Sequence, residues 1–349
     1  MTELEKKICD VLHVKYGVFT GNGTTAMYLV FLALRRQNKK VIFPAISCTN
    51  PVNSALFAGY NVDFCDVNLE DYTIDLYELE RMLKTGQYGI VVPTHIYGHR
   101  YDEAGVRKLC EKYHVMLFED AAQTFYVGDM DVSVMSFGHT KVCETSSGGG
   151  IALTNSQKLY EDILRAKRNL PEINDMESRF DEYRDRYYEV VGKYKSWEQR
   201  NIQLRKLQLD SKEYFIFDLQ NNDEIEKKLA DLDDVVARRE EKVNLYQAML
   251  DDRHTRKPIA TDNYRWRYTF LYQGDRQYLL DQARKRGIDI SSWYYSLAGI
   301  YKNQHLKNAD QVEQKVVNLW VDESHTCERI RTEICILNEI MEADHARYQ

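Results

Sequence analysis

The sequence predicts an α/β chain: a large domain on a mainly parallel sheet covered by helices, followed by a smaller α+β domain. Three observations carry this reading. Over the first 155 residues, short β-branched and aromatic runs alternate with segments of helical spacing, and strands set about one helix apart need the crossovers of a parallel sheet. From about 156 to 212 these runs give way to charge-rich helical sequence. Beyond 221 a long helical stretch leads into short mixed segments. We therefore expect the large domain over 1–220, with a charged helical insertion near 156–212. A linking helix and the small domain follow over 221–349.

The elements read in order as follows. "TELEKKICDVLHV" has helical spacing, "YGVFT" is a strand and "TTAMYLVFLALRRQ" a helix. "KVIFP" is a strand, and "NPVNSALFAGY" a helix with Pro51 at a favourable first-turn position. After the strand "NVDFCDV", the helix "DLYELERMLKTG" opens with Asp75 and Glu78 at capping-box spacing. "YGIVVPTHIYG" reads as a strand, "DEAGVRKLCEKY" as a helix and "VMLFEDAAQ" as a strand running into a loop. "DVSVMSF" and "GGIALTN" would be further strands of the same sheet. "QKLYEDILRAKRNL" is helical, and "FDEYRDRYYEVVGKYKSWEQRN" reads as a solvated helical face. "NNDEIEKKLADLDDVVARREEKVNLYQAMLDD" is expected as one long helix. "YRWRYTFLY", "QYLLDQARKRG", "IDISSWYY" and "CERIRTEICILNEIM" make up the small domain.

Composition excludes several classes. A net charge of −7 opposes binding to nucleic acid, which calls for a basic face. The opening "MTELEKKICDVLHV" carries charges where an export signal needs an apolar core, and "AMYLVFLAL" is far shorter than a membrane span. Cys9, Cys48, Cys65, Cys110, Cys143, Cys327 and Cys335 are scattered without a CxxC pair. That suits reduced thiols in a cytoplasmic protein better than a disulfide frame or a metal site.

"GNGTTA" at 21–26 matches G-x-G-x-x-G/A, but the dinucleotide version also needs an acidic residue about 20 positions on. Here "RRQNKKVIFPAISCTNP" supplies none, and the G-K-[ST] of a P-loop is absent too. What remains is a glycine turn with Thr24 and Thr25 at a helix mouth. It would suit a single phosphate ester, or it is a plain turn with Thr24 as N-cap. A second constellation favours the phosphate. Asp120 stands at the carboxyl end of a buried strand, and Lys141 follows 21 residues later in "SFGHTK". A phosphate cradle, a strand-end carboxylate and a downstream lysine are the parts that pyridoxal 5′-phosphate (PLP) requires. The amine takes the aldehyde as a Schiff base, and the carboxylate keeps the pyridine nitrogen protonated.

The ordered set "GNGTTAMYL", "VIFPAISCTNPVNSALFAGYNVDFCDVNLEDYTID", "VPTHIYG", "EDAAQ" and "SFGHTKV" resembles the DegT/DnrJ/EryC1/StrS sugar aminotransferases. The resemblance runs from about residue 3 to 155 and returns weakly in the small domain. It implies PLP fold type I, with a seven-stranded sheet in the large domain. It implies Lys141 as the residue that holds PLP and shuttles the proton, and Asp120 as partner of the pyridinium. Gln123 would lie near the ring 3′-oxygen. Thr24, Thr25 and Ser136 would contact the phosphate, with Gly23 in the cradle. Cys48 would occupy the cofactor face where relatives usually place an aromatic ring. It further implies a homodimer that passes an amino group from glutamate to a nucleotide-linked keto sugar, alternating between PLP and its pyridoxamine form (PMP). Ser147 stands where members commonly carry an acidic residue. "KEYFIFDLQNN" departs from the glycine–asparagine signature with which a neighbouring subunit often reaches the phosphate. A PLP-dependent sugar dehydratase is the second reading, opposed by Lys141, and a non-catalytic regulatory relative the third. His95, His139, Trp266, Arg267, Trp293 and Tyr294 are noted without an assigned role.

Overall fold

A computed structural model describes every residue except 36–38, 172–175, 220–221, 260–264 and 348–349. The expected domain boundary at 220/221 therefore lies outside the described residues. Among those described, seven strands form one sheet: β1 (Tyr16–Thr20), β2 (Lys40–Pro44), β3 (Val62–Cys65), β4 (Tyr88–Val91), β5 (Met116–Asp120), β6 (Val132–Ser136) and β7 (Gly150–Thr154). Their order is β1-β7-β6-β5-β4-β2-β3. Neighbours from β6 to β3 are parallel, and β7 is antiparallel to both β1 and β6. The sheet is thus mainly parallel, with β7 alone reversed. A second, four-stranded antiparallel sheet runs β10 (Ile290–Ser291), β11 (Val316–Leu319), β9 (Tyr268–Tyr272), β8 (Thr255–Arg256).

Both faces of the large sheet are covered, which is why its strands read as nearly unbroken apolar runs. The helix Gly23–Leu34 is apolar almost all round and buries Met27, Leu29, Val30 and Phe31. Phe31 meets the rings of Phe43, Tyr60 and Phe118 at 5.0–6.3 Å, and the Tyr60 hydroxyl closes the contact by donating to the Phe31 carbonyl. On the other face, Leu4, Ile8, Leu79, Val106 and Cys110 pack over Ile42, Val91, Leu117 and Ile151. The smaller sheet packs beneath the terminal helix Cys327–Ala346 through Phe270, Val317, Ile334 and Leu337.

Several elements differ from expectation. The capping box forms at the first helix, where Thr2 accepts from the Glu5 N–H at 3.2 Å and Glu5 accepts from the Thr2 N–H at 2.6 Å. At Asp75 only half a box exists: its carboxylate caps the Glu78 N–H at 2.9 Å, while Glu78 turns outward to Arg81. The strand read over 88–98 ends at Val91, and Ile96–Gly98 is a single 3₁₀ turn. The long helix over 221–252 is two, Asp223–Ala230 and Leu232–Met249. Ile225 before the break and Leu232 after it both join the large-sheet core, and further along the second helix Val243 and Tyr246 join the small-sheet core. The charged insertion folds as two helices, Met176–Lys193 and Trp197–Leu209. No helix among the described residues is long and apolar enough to cross a membrane.

Candidate active site

The candidate residues gather at the carboxyl edge of the large sheet, where open α/β sheets bind ligands. Asp120 ends β5, 2% exposed. Its carboxylate accepts from the Ala122 N–H at 3.0 Å and the Thr94 hydroxyl at 3.2 Å. Burial pushes this acid up, against the pull of the Ala122 N–H, the Lys141 ammonium and the Thr94 hydroxyl. Backbone bonds on both sides fix it: its N–H donates to Pro93 and its carbonyl accepts from His95. The chain therefore presents Asp120 rigidly, at the end of a parallel strand.

Lys141 follows β6 on a turn closed by its own N–H to the Gly138 carbonyl at 3.2 Å. Arg239, on the helix Leu232–Met249, donates to the Lys141 carbonyl at 3.2 Å and pins the turn. The side chain is partly accessible, yet enclosure by protein lowers its ammonium. Cys48 and Asp120 counter this, and Arg267 adds to it. The sequence pair 120 and 141 is thus brought within one electrostatic field. A lysine whose charge is disfavoured keeps a larger neutral fraction, the form that attacks a carbonyl.

Cys48 stands at the N-cap of the helix Thr49–Phe57, and burial pushes its thiol up. The insertion supplies rings nearby, a contribution the sequence reading missed. Tyr183 and Tyr187 both feel the Cys48 thiol, and Tyr187 stacks on Trp293 at 5.7 Å. The insertion is anchored there by polar bonds. Asn53 donates to Gln208 at 2.8 Å, and Gln208 donates to the Tyr183 hydroxyl at 2.8 Å. The face carrying Arg184, Asp185 and Tyr188 remains solvated, so the helix Met176–Lys193 is both an exposed face and a wall.

Gln123 is buried and tied at both ends. Its carbonyl accepts from the Tyr97 N–H at 2.8 Å, and its amide donates to the Tyr294 hydroxyl at 3.2 Å. That bond reaches across 171 residues and carries Tyr294 to the neighbourhood of Asp120.

In the glycine loop Asn22, not Thr24, is the N-cap: its side chain accepts from the Thr25 N–H at 2.8 Å. A carbonyl oxygen two residues earlier reaches that N–H better than the Thr24 hydroxyl can. Gly23 lies against Ser136, whose Cβ would stand 3.0 Å from any Cβ added there. Thr25 is diverted. Its hydroxyl donates to the Phe215 carbonyl at 2.7 Å and accepts from the Phe217 N–H at 3.2 Å. Asn22 also donates to the Phe215 carbonyl, at 3.0 Å. The segment that departs from the glycine–asparagine signature thus straps its own chain's loop. A Cβ on Gly21 would meet the Phe217 ring at 2.1 Å and its carbonyl at 2.8 Å. Gly21→Ala is accordingly expected to push the strap away and cost about 1–3 kcal/mol, as overpacking does. Urea unfolding and faster hydrogen exchange at the Phe217 N–H would register it.

His95 does not face outward: it is fully buried against Glu119, while His139 is exposed. Asp251, His254 and Glu342 bring donor atoms within 4.8 Å of one another, but Arg253 bonds both carboxylates.

The model of the DegT/DnrJ/EryC1/StrS aminotransferase family matches residues 1–192, more than half of the chain. The chain belongs to this family. It is 29% identical over 174 residues to the GDP-perosamine synthase of Escherichia coli O157:H7, covering 47% of each protein. It is 31% identical over 173 residues to the dTDP-4-amino-4,6-dideoxy-D-glucose transaminase of Shigella dysenteriae, covering 47% of this chain and 46% of that one. The chain thus spans about half the length of the curated relatives it matches. In structure the likeness extends further. NtdA from Bacillus subtilis, solved with bound cofactor PMP, superposes with a TM-score of 0.75 at 18% identity, over 97% of this chain and 76% of that one. The α/β fold with its mainly parallel large sheet is therefore shared with that structure, as the sequence motifs implied.

Proposed function

We propose that this family member is a PLP-dependent aminotransferase that moves an amino group from glutamate to a nucleotide-linked keto sugar. The observation that carries the reading is the pairing of buried Asp120 with Lys141 in one field at the carboxyl edge of the sheet. The donor set fits the cofactor. Asp120 would hold the pyridine nitrogen, Lys141 the aldehyde carbon and Gln123 the ring oxygen. Thr24, Ser136 and the Gly23 backbone would hold the phosphate, in a cradle where a Cβ on Gly23 would crowd Ser136 at 3.0 Å. Thr25 is supported as second-line help only, since the strap uses its hydroxyl. When bound, PLP supplies an aldehyde that takes up amines and a ring that accepts electrons.

The chain's own work is then acid–base and positional. Lys141 Nζ, with its charge disfavoured by burial, takes a proton from the donor α-carbon and returns one to the new carbon. Burial disfavours the Asp120 negative charge, so a cationic partner at that carboxylate would be held strongly in so dry a setting. Tyr187, Trp293 and Tyr294 exclude water from the Cys48 side. The names of the relatives support a nucleotide-linked amino sugar as product, and with it a place in surface-polysaccharide synthesis. Assembly as a cytoplasmic homodimer belongs to the same proposal. Diversion of Thr25 favours one alternative: a cofactor-binding relative without turnover.

One spectroscopic experiment tests these together. Purified protein with added PLP is expected to show a visible absorption band that glutamate bleaches and that Lys141→Ala lacks. Amine transfer to a keto-sugar nucleotide should follow. A band that glutamate leaves unbleached, with no transfer to any sugar, would favour the non-catalytic relative, and equal colourlessness of parent and variant would remove the assignment.

A further inference from the structure

Around the end of the small sheet, four polar side-chain atoms are buried without a hydrogen-bond partner: Trp266 Nε1, Arg267 Nε, Trp320 Nε1 and His325 Nε2. They form one cluster. The register that pairs Tyr268 with Leu319 carries the next residues, Arg267 and Trp320, past the end of the β9–β11 ladder side by side. The Arg267 guanidinium lies 3.5 Å from the Trp320 ring centre and 4.2 Å from that of Trp266. His325 stacks on Trp320 at 6.1 Å and spends its Nδ1 on Asp322 at 2.9 Å.

Arg267 is 4% exposed. Among the described residues no carboxylate comes within 4.0 Å of it, and it donates to the Ser291 hydroxyl at 2.6 Å. Asp289 and Asp322 act on it only from a distance, and burial pulls its guanidinium down to about 10. A buried cation of this kind is costly unless something supplies the missing bonds. With indole rings against the guanidinium, the edge of the fork is what remains for recognition, and that edge matches a carboxylate in plane. Arg267 also acts on Lys141, lowering its ammonium.

We propose that Arg267, walled by Trp266 and Trp320, binds the carboxylate of the amino-acid donor. The inference rests on the aminotransferase reading and names the donor subsite of that same centre. Spacing chooses the ligand. In an amino acid the carboxylate sits one carbon from the amine, so an amine reacting at Lys141 carries its anion into the field that Arg267 and Lys141 share. The phosphates of a sugar nucleotide hang from the far side of the sugar ring, several bonds from the reacting carbon. The indole N–H groups of Trp266 and Trp320 offer neutral hydrogen bonds beside the charge.

The test is calorimetric titration of the full chain with glutarate, which has the carboxylates of the donor but no amine to react. Arg267→Gln should weaken binding about 10- to 100-fold, the worth of hydrogen bonds to a charged group. Arg267→Lys keeps the charge without the fork, should also bind more weakly, and serves if the glutamine variant does not fold. Unchanged affinity in both variants would overturn the proposal, as would absence of glutarate binding by the parent. So would displacement of glutarate by UDP that depends on Arg267, which would make this a phosphate site. The absorption band with PLP, recorded on the same preparations, keeps the two readings apart. Band without glutarate binding removes only the subsite. Arg267-dependent glutarate binding without the band removes the cofactor assignment and leaves the carboxylate site standing.

Discussion

A chain carrying Lys141→Met is expected to lose amine transfer at least 10²–10⁴-fold, the usual worth of a positioned proton carrier, and yet to melt at or above the parent temperature. The two halves have one cause. Lys141 is enclosed, and burial disfavours its ammonium more than Cys48 and Asp120 favour it. Among the described residues no carboxylate lies within 4.0 Å of Nζ to repay the lost hydration. Arg267 adds repulsion. Methionine fills similar volume without the charge, so the fold is relieved while the chemistry goes. Stability gained on removing a residue marks a group kept for function rather than for folding.

The pH dependence follows with a definite sign. A lysine held below its ordinary value of 10.5 binds its proton less tightly folded than unfolded. Stability of the parent should therefore rise as the pH climbs from the folded value toward 10.5, because the unfolded chain still holds the proton there. Lys141→Met should lack that increment. Thermal melts of both proteins from neutral pH to about 10 would show the curves converging. A parent curve flat over that range, or a variant that melts well below the parent, would mean that Lys141 serves the fold.

What the sequence made legible was local. Asp120 could be placed at a strand end and Lys141 after the next strand because strand ends and the residues that follow them can be read from runs of five or so residues. The alternation of β1 to β6 with helices, hence a parallel sheet, was likewise written in neighbouring residues. The failures share one feature: the deciding partner is far away in the chain. Nothing near Thr25 signals that Phe215 and Phe217, about 190 residues on, will take its hydroxyl. Nothing near Leu232 shows that the helix it opens will serve one core there and another at Val243 and Tyr246. Arg267 sat in a period-two run, "WRYTFLY", that a half-buried strand explains equally well; only the ladder register brings Trp320 beside it. The cap at Asn22 was the exception, a local signal that could have been read, since asparagine outranks threonine at an N-cap.

Glu119→Ala is expected to destabilise the protein by about 3–5 kcal/mol, the cost of stripping one partner from a buried pair. Glu119 precedes Asp120 on β5 and points to the opposite face of the sheet, as strand geometry requires. There its carboxylate is fully buried and meets the His95 ring at 2.9 Å, the Tyr101 hydroxyl at 3.1 Å and the Gly128 N–H at 3.0 Å. Burial alone would push this acid up, but the His95 hydrogen bond and charge, with the Gly128 N–H, hold it below its ordinary value of 4.5. The sign is that of a depressed carboxylate: its stabilisation is complete above 4.5 and is lost as the pH falls through the folded value. Urea unfolding of the parent should weaken in acid over that window, and the alanine variant should show less of the decline. Glu119→Gln keeps the volume and one acceptor, so its loss should be smaller. Pairing Glu119→Ala with His95→Ala in a double-mutant cycle gives the coupling itself, since each single change leaves one buried polar group bare. A strong coupling would make His95 the support of the strand that presents Asp120. A cycle near zero would release His95 from that duty and make its unpartnered Nδ1 available to whatever binds at the sheet edge.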